Sequence, residues 1–580
     1  RDLATPSTDG FCMLGHRRLA IIDLSTAGRQ PFTLQDAGLT ITYNGEIYNY
    51  LELRSELEKR FTFETRTDTE VLLRAYQAWE LDVFERLDGM FAFVIRDAVH
   101  RRFVCARDHL GIKPFYYSNS PDAWIFGSEP AVVLTGLNSR GHIDPVHAAE
   151  FLYLGLTDHD GGTFFREVSQ LEPGSYRVIP FEDGRITGGK YWRAVFSECS
   201  EPGDAGLDYS GEFRDRLLIS VQRQLRADVP TGSCLSGGLD SGSIVSAASH
   251  VLGQAASDYA CLTVVSPGTP WDESKLAEST ATRFGCRWIR VEPSPGDMAL
   301  ELESMARFMG EPFNGLSVFA QYKVMEQARQ NGLKVMLDGQ GGDELFTGYP
   351  RMAQILILDR IKSLKWFRAW NDLRALRKHA CQPVSRSLMS MIYFQTPRIA
   401  WRRNRCRMAP FVDPELADHV RWETVQTLYG PVSFAARQTQ EFGMSCLPRL
   451  LRYEDRNSMA FSVEARVPIL GREVVDLALK LPAEWKVRHG WTKYIIRCNM
   501  DGILPDDVVW NSRKQGFDVP EALWMSILSE AIVRWLEECR DVPVNCHAVR
   551  SALRNGGAMN QWFWRLVSFV LWARVTGVGI

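Results

Sequence analysis

Between Ser233 and Gly339 short apolar runs alternate with helical ones, and this alternation constrains the fold more than any other feature of the chain. The strand-like runs are "SCLSGG", "YACLTVV", "WIRVEP" and "LKVMLDG"; between them lie a helix from Ser241, "ESKLAESTATRFG" and "FAQYKVMEQARQNG". Alternating β and α elements imply a parallel sheet covered by helices. Ligands of such sheets gather at the carboxyl ends of the strands. Two of these runs end there in glycine-rich acidic loops, "LSGGLDS" and "DGQGGDELFTGY".

The first loop places Ser236, Gly237, Gly238, Asp240 and Ser241 between a predicted strand and a predicted helix. Glycines let the backbone approach phosphoryl oxygens, while the helix N–H groups and dipole face the anion. Ser236 and Ser241 add hydroxyl donors. A lone carboxylate at Asp240 repels polyphosphate unless a magnesium ion lies between them, and Mg²⁺ favours one or two carboxylates with phosphate oxygens and water. Asp343, at the end of another predicted strand, supplies the second acid. Either loop alone would as readily be a structural turn. Together they outline a site for Mg-polyphosphate.

A chain of 580 residues exceeds one hydrophobic core, so two or more domains are expected. The first third mixes β-like runs ("LTITYNGEIYNY", "MFAFVIRD", "RFVCARD", "AWIFGSE") with the helical "TEVLLRAYQAWELDVFERL", which suggests sheets packed with helices. The polar stretch from Val195 to Asp208 marks the boundary. From Arg351 to Arg407 the pattern is helical, with about a dozen more Lys and Arg than Asp and Glu; it reads first as a solvated face of an insertion over 351–440, with a docking surface as the alternative and a nucleic-acid role a weaker third. The net charge of -3 gives no reason to expect nucleic acid as a partner. Twelve scattered cysteines without zinc spacings suit a reducing, cytoplasmic setting. The apolar run "WRLVSFVLWARVTGVGI" is broken by Arg565 and Arg574, so no membrane span is expected.

With "DGQGGDELFTGY" and "LRYEDRNSMAFSVEARVPIL" behind it, "LSGGLDS" resembles the pyrophosphate loop of the ATP pyrophosphatase superfamily. The series as a whole resembles the glutamine-hydrolysing asparagine synthetases, in order, over nearly the entire chain. The resemblance implies an α/β fold: a truncated Ntn-hydrolase αββα sandwich at 1–195, then a Rossmann-like ATP pyrophosphatase domain with helical additions at 209–580. It implies that ATP is cleaved to AMP and pyrophosphate, that a carboxylate forms an acyl-adenylate, and that ammonia displaces AMP. ATP and Mg²⁺ are the implied cofactors. Asp240 and Asp343 carry over as metal ligands, and the loop Ser236 to Ser241 as the pyrophosphate site. Leu235, Leu262, Thr263, Val264, Asp338 and Gly339 join the nucleotide set, and Lys514 in "SRKQGF" the catalytic set. Lys493 in "WTKYIIR" could also serve, or be a helix-surface lysine. Arg452, Asp455, Arg456, Glu464 and Arg466 could be an ion-paired surface; the following "VPIL" favours an internal network.

Upstream, "LGHRRLAIID", "QPF", "YNGEIYN" and "TRTDTE" resemble the glutaminase domain of the same enzymes. Arg18 and Asp68 match positions that hold the glutamine's carboxylate and amino group, and Glu46 belongs to its pocket. Asn44 and Gly45 match the oxyanion hole, although Asn-Gly alone would read as a hairpin turn. The family needs a cysteine at the mature N-terminus, a role that neither Arg1 nor the internal Cys12 fills. The expectation is that about fifty residues are missing from the start. The chain as written should then bind glutamine poorly and leave it intact, whereas the full-length protein should hydrolyse it. An apolar ammonia tunnel between the halves is also implied.

The preferred product is asparagine. A relative amidating another carboxylate, such as a sugar uronate or a biosynthetic intermediate, and a degenerate binding protein stay open. Asparagine synthetases usually show an acid at the position of Gln340 and a serine at that of Asp338; Gln340 cannot act as a base for ammonia, whereas Asp338 could restore the charge. Glu344 could orient Asp343 or hold the loop. Small-molecule partners are expected, and a homodimer is allowed.

Overall fold

A computed structural model describes residues 12–120, 123–182, 185–198, 209–380, 389, 391–512, 521–539, 542–555 and 560–579. The strands of the first third are β1 (Phe32–Leu34), β2 (Leu39–Ile47), β3 (Gly89–Asp97), β4 (Arg102–Arg107), β5 (Tyr116–Asn119), β6 (Trp124–Gly127), β7 (Ser169–Gln170), β8 (Ser175–Pro180) and β9 (Thr187–Lys190). They form a six-stranded antiparallel sheet, β1-β2-β3-β4-β8-β9, and a three-stranded one, β6-β5-β7.

Successive strand residues face opposite sides, and β3 uses both. Phe91, Phe93 and Ile95 join Ile41, Tyr43, Val71 and Leu72 under the helices Tyr50–Leu57 and Asp68–Trp79. Ala92 and Val94 join Cys105, Phe115, Leu171 and Phe126 between the two sheets. The helix Pro130–Gly136 packs on β5 and β6, which completes an αββα stack.

The second sheet comprises β10 (Thr231–Cys234), β11 (Ala260–Val264), β12 (Arg287–Val291), β13 (Val335–Leu337) and β14 (Glu464–Arg466), in the order β12-β11-β10-β13-β14, every pair parallel. Val335 and Leu337 face the helices Leu239–Leu252 and Ser274–Arg283, whereas Met336 faces Ser317–Gln330. The expected α/β architecture is therefore present in both halves.

Several elements differ from the sequence expectation in detail. The helix after β10 begins at Leu239, two residues early, because Gly238 is extended (φ -89°, ψ 159°) and acts as its N-cap. Helix Pro295–Met309, set by a Ser294/Asp297 capping box, adds an element between β12 and the helix Ser317–Gln330. Asn44-Gly45 is no hairpin turn but the middle of β2, with Gly45 opposite Phe91. The charged run divides between the helix Leu447–Ala460 and the edge strand β14. Of the boundary segment, 199–208 lies outside the described residues; just before it, the Phe196 N–H donates to Thr439 Oγ1 at 3.1 Å and its ring meets Phe442 edge-on. The C-terminal apolar run is a core helix, Gln561–Thr576, with Trp564, Leu571 and Trp572 buried. Among the described residues no helix is long and apolar enough to cross a membrane.

Candidate active site

At the end of β10 the chain turns through 235–238 into the helix Leu239–Leu252. Ser241 Oγ accepts from the Ser236 N–H at 3.1 Å and lies 2.9 Å from Ser236 Oγ, which itself accepts from the Gly238 N–H at 3.1 Å. The two hydroxyls thus shape the loop from within. Gly237 N–H is held by Glu273 Oε2 at 3.2 Å. Leu235, Leu262 and Thr263 are buried, and Thr263 Oγ1 accepts from Trp288 Nε1 at 2.8 Å. Any ligand at these three therefore meets main chain more than side chain.

Asp240, in the first turn of that helix, and Asp343, in the turn Gly342–Leu345 after β13, converge on one cation. Lys493 Nζ is 2.5 Å from Asp240 Oδ2 and 2.6 Å from Asp343 Oδ1. Burial opposes the charge on Lys493, yet the two carboxylates raise its pKa above the ordinary lysine value. Its backbone is left-handed (φ 52°), and its N–H donates to the Phe346 carbonyl at 3.2 Å. A non-glycine residue held there costs on the order of 1–2 kcal/mol, so the surrounding packing must fix it. A Cβ on Gly342 would overlap the Asp240 carboxylate, so the two acidic loops close up only with glycine there. Glu344 holds its own loop: Oε1 accepts from Tyr349 Oη at 2.5 Å and from Cys446 Sγ at 3.3 Å. The oxygen donors at Asp240 and Asp343 are the hard ligands that Mg²⁺ accepts.

Asp338 goes elsewhere. It and Glu454 are both buried, and among the described residues no Lys or Arg pairs with either. The Gln321 amide nitrogen lies 3.5 Å from Asp338 Oδ2 and hydrogen-bonds Glu454 Oε2, while Gln321 Oε1 accepts from Asn457 Nδ2 at 2.9 Å. Gln340 also bonds to Glu454. Burial first, then for Glu454 the neighbouring Asp338, pushes both carboxyls up, Glu454 far up. The two carboxyls also hydrogen-bond each other, a contact that a proton held by one of them allows in the absence of a countercharge. The charge expected from Asp338 thus belongs to a pair, and Gln340 is tied to that pair.

In the first domain, Asp68 lies at the start of the helix Asp68–Trp79, whose N-cap Thr67 accepts from the Glu70 N–H. Asp68 Oδ2 accepts from Tyr43 Oη at 2.7 Å and from the Ile47 N–H at 3.1 Å, which brings it beside the β2 segment carrying Asn44, Gly45 and Glu46. Burial raises its pKa despite these bonds. Gly45 has φ 149°, and a Cβ there would overlap the Met90 carbonyl. Arg18 donates to the carbonyls of Ile22, Asp23 and Ser25 at 2.6–2.9 Å; its loop is seated on the stretch before Asp68 by the Arg66 N–H to Asp23 Oδ2 bond at 3.0 Å.

Glu46 reaches across the domains: its Oε2 is 3.3 Å from Arg466 Nη2, which is 2.8 Å from Glu464 Oε1. The rest of the charged run does likewise. Asp455 pairs with Lys113 at 3.0 Å, Arg452 with Asp158 at 2.9 Å, and Arg456 donates to the Ser128 carbonyl at 2.8 Å. The internal network is thus also the seam between the halves, which the sequence could not reveal because the partners lie 294 to 342 residues away. Beside it a cavity of about 20 Å³ is lined by Tyr48, His109, Gln224 and Arg472. Tyr48 Oη, His109 Nε2 and Gln224 Oε1 are buried with no partner among the described residues. Lys514 lies outside the described residues.

The asparagine synthase family model matches residues 212–574 and the glutamine amidotransferase domain model residues 2–192. A Bacillus subtilis protein named asparagine synthetase [glutamine-hydrolyzing] 1 is 31% identical over 98% of this chain and 91% of its own length. Another from B. subtilis, asparagine synthetase [glutamine-hydrolyzing] 3, is 29% identical over 86% and 79%. Amidase chry2 of Gibberella zeae is 27% identical over 88% and 81%.

Proposed function

The chain belongs to the asparagine synthase family, as a ligase that takes its amide nitrogen from glutamine in an ATP-dependent amidation, and from that premise we propose that it converts aspartate to asparagine. The observation that carries the synthetase reading is the closure of Asp240, Asp343 and Lys493 on one point beside the Ser236 to Ser241 loop. We assign the amidotransferase half to 1–195 and the synthetase half to 209–580.

ATP lies with its phosphates over the loop, where Gly237, Gly238 and the helix N-terminus offer main-chain donors. Its base meets the main chain at Leu235 and from Leu262 to Val264, with Asp338 and Gly339 bordering it. Asp240 and Asp343 would hold Mg²⁺, which when bound supplies the charge that neutralises the departing pyrophosphate. Lys493 stabilises the same developing charge from the protein side, and Lys514 is assigned to the adenylate. The substrate carboxylate attacks the α-phosphorus, the bond to pyrophosphate breaks, and ammonia then forms the C–N bond as AMP leaves. Glutamine is held by Arg18 at its carboxylate and Asp68 at its amino group, with Glu46 in the pocket wall and Asn44 and Gly45 as oxyanion donors.

Gln340 favours a second reading, amidation of another carboxylate. Pyrophosphate release with ammonium as nitrogen source, run against aspartate and a panel of other acids, separates the two. Release driven by aspartate is the expected result. Release driven only by another acid removes asparagine as product, and no release with any acid removes the adenylation chemistry.

A further inference from the structure

The ligase reaction leaves the basic segment from Arg351 to Arg407 unused, and its exposed face has an unusual composition. The helix Trp366–Ala380 packs Ala369, Leu373 and Leu376 against the helix Pro350–Lys362. That fixes which side faces out. Trp366, Trp370, Arg374 and Arg377 fall on one helical stripe, with Phe367 and Lys378 flanking it. Trp366 is 60% exposed, Phe367 78% and Trp370 58%, and Leu364 just before them is 74% exposed. Met389, Ile392 and Ile399 are exposed within the same segment. Arg398, Arg402, Arg403 and Arg405 of the helix Pro397–Met408 are exposed as well.

Soluble surfaces seldom gather so many large apolar side chains without a partner. We propose that this face docks on an anionic lipid surface, with the helix Trp366–Ala380 lying in the plane of the headgroups. Tryptophan and phenylalanine belong at the boundary between headgroups and acyl chains, and Lys and Arg around them meet anionic headgroups. Charge argues against a second copy of this chain, because two strongly cationic faces would be brought together. Nucleic acid would use the cations and could stack on the aromatics, but it gives Leu364 nothing to bury against. Since the rest of the chain carries an excess of acids, the surface also orients the molecule, with this segment toward the lipid.

The test uses the whole chain with vesicles of phosphatidylcholine alone or with about one quarter phosphatidylserine, sedimented at low and high salt. Expected is at least a tenfold larger bound fraction with phosphatidylserine, reduced by salt. Trp366→Ser/Phe367→Ser/Trp370→Ser should lower it at least tenfold with pyrophosphate release and melting temperature unchanged. Arg374→Glu/Arg377→Glu should remove most of its dependence on phosphatidylserine. Equal binding to both vesicles, or triple-variant binding at the wild-type level, overturns the proposal. So does a single-stranded RNA that binds with the same sensitivity to the aromatic substitutions and displaces the vesicles, or a wild-type dimer that the triple variant turns to monomer in light scattering.

Discussion

Lys493 is the residue on which the synthetase site closes, since removing it leaves Asp240 and Asp343 facing each other in a buried place. Loss of one partner from a buried ion cluster costs on the order of 3–5 kcal/mol. Lys493→Ala should therefore melt well below the wild type, and pyrophosphate release should fall by about 10²–10³ if the ammonium stabilises the transition state. The same variant tests the fit to magnesium without any turnover: millimolar Mg²⁺ should raise its melting temperature more than that of the wild type, because the freed carboxylates gain a cation. Equal shifts in both proteins would remove Asp240 and Asp343 as metal ligands. The Asp338–Glu454 pair gives a second result at this scale. Both pKa values are raised on folding, so the folded chain holds more protons than the unfolded one and stability falls as pH climbs above the ordinary carboxylate range, near ~4. Glu454→Gln keeps the shape and removes the titration. Its melting temperature should gain on the wild type between pH 4.5 and 8; a constant offset across that range would refute proton sharing.

Secondary elements place these residues, and their caps are where small changes should be felt. Thr67→Ala removes the side-chain acceptor of the Glu70 N–H, costs about 1 kcal/mol, and loosens the first turn that carries Asp68. Calorimetric glutamine affinity should drop several-fold while ammonium-driven pyrophosphate release stays at the wild-type level. The helix Pro145–Leu154 offers a pH test. His147 is clasped by Asp144 and Asp160 at 2.8 Å, and although burial lowers its pKa, these carboxylates lift it to about 9. A raised histidine contributes fully below its unfolded value, near ~6.5, and that stability is lost as pH rises toward 9. His147→Gln should flatten the decline in melting temperature over this window. How far the sequence reveals such elements depends on how local their causes are. The parallel strands and the glycine loop were legible because alternation and turn chemistry are short-range. The fifth strand was not, because Glu464 and Arg466 are charged and become buried only by pairing with each other and with Glu46. Lys493 is ambiguous in sequence for the same reason: nothing near it tells that Asp240 and Asp343 will close around its amine.

At the scale of the whole molecule the two halves are joined by buried charge, and Arg466 is the joint through which one site can feel the other. Its guanidinium pairs with Glu464, reaches Glu46, which we propose lines the glutamine pocket, and donates to the carbonyls of Gln224 and Arg226 at 2.8 Å. Its own carbonyl accepts from the Asp338 N–H at 2.8 Å, next to the phosphate loop. A ligand that shifts Glu46 therefore pulls on a group bonded to the edge of the proposed nucleotide site. Glutamine should then tighten binding of ATP with aspartate, within the roughly 5–150-fold range typical of coupled sites, and ATP with aspartate should tighten glutamine by the same factor. Arg466→Met alone would leave Glu46 and Glu464 buried without a countercharge and should cost about 3–5 kcal/mol. The informative variant is Glu46→Gln/Glu464→Gln/Arg466→Met, which removes all three charges and should recover most of that stability. If Arg466 transmits the signal, this triple variant folds yet binds each ligand with the same affinity whether or not the other is present. If the ratio of affinities survives, coupling runs through another part of the seam, with Lys113–Asp455 and Arg452–Asp158 as the remaining buried pairs to test.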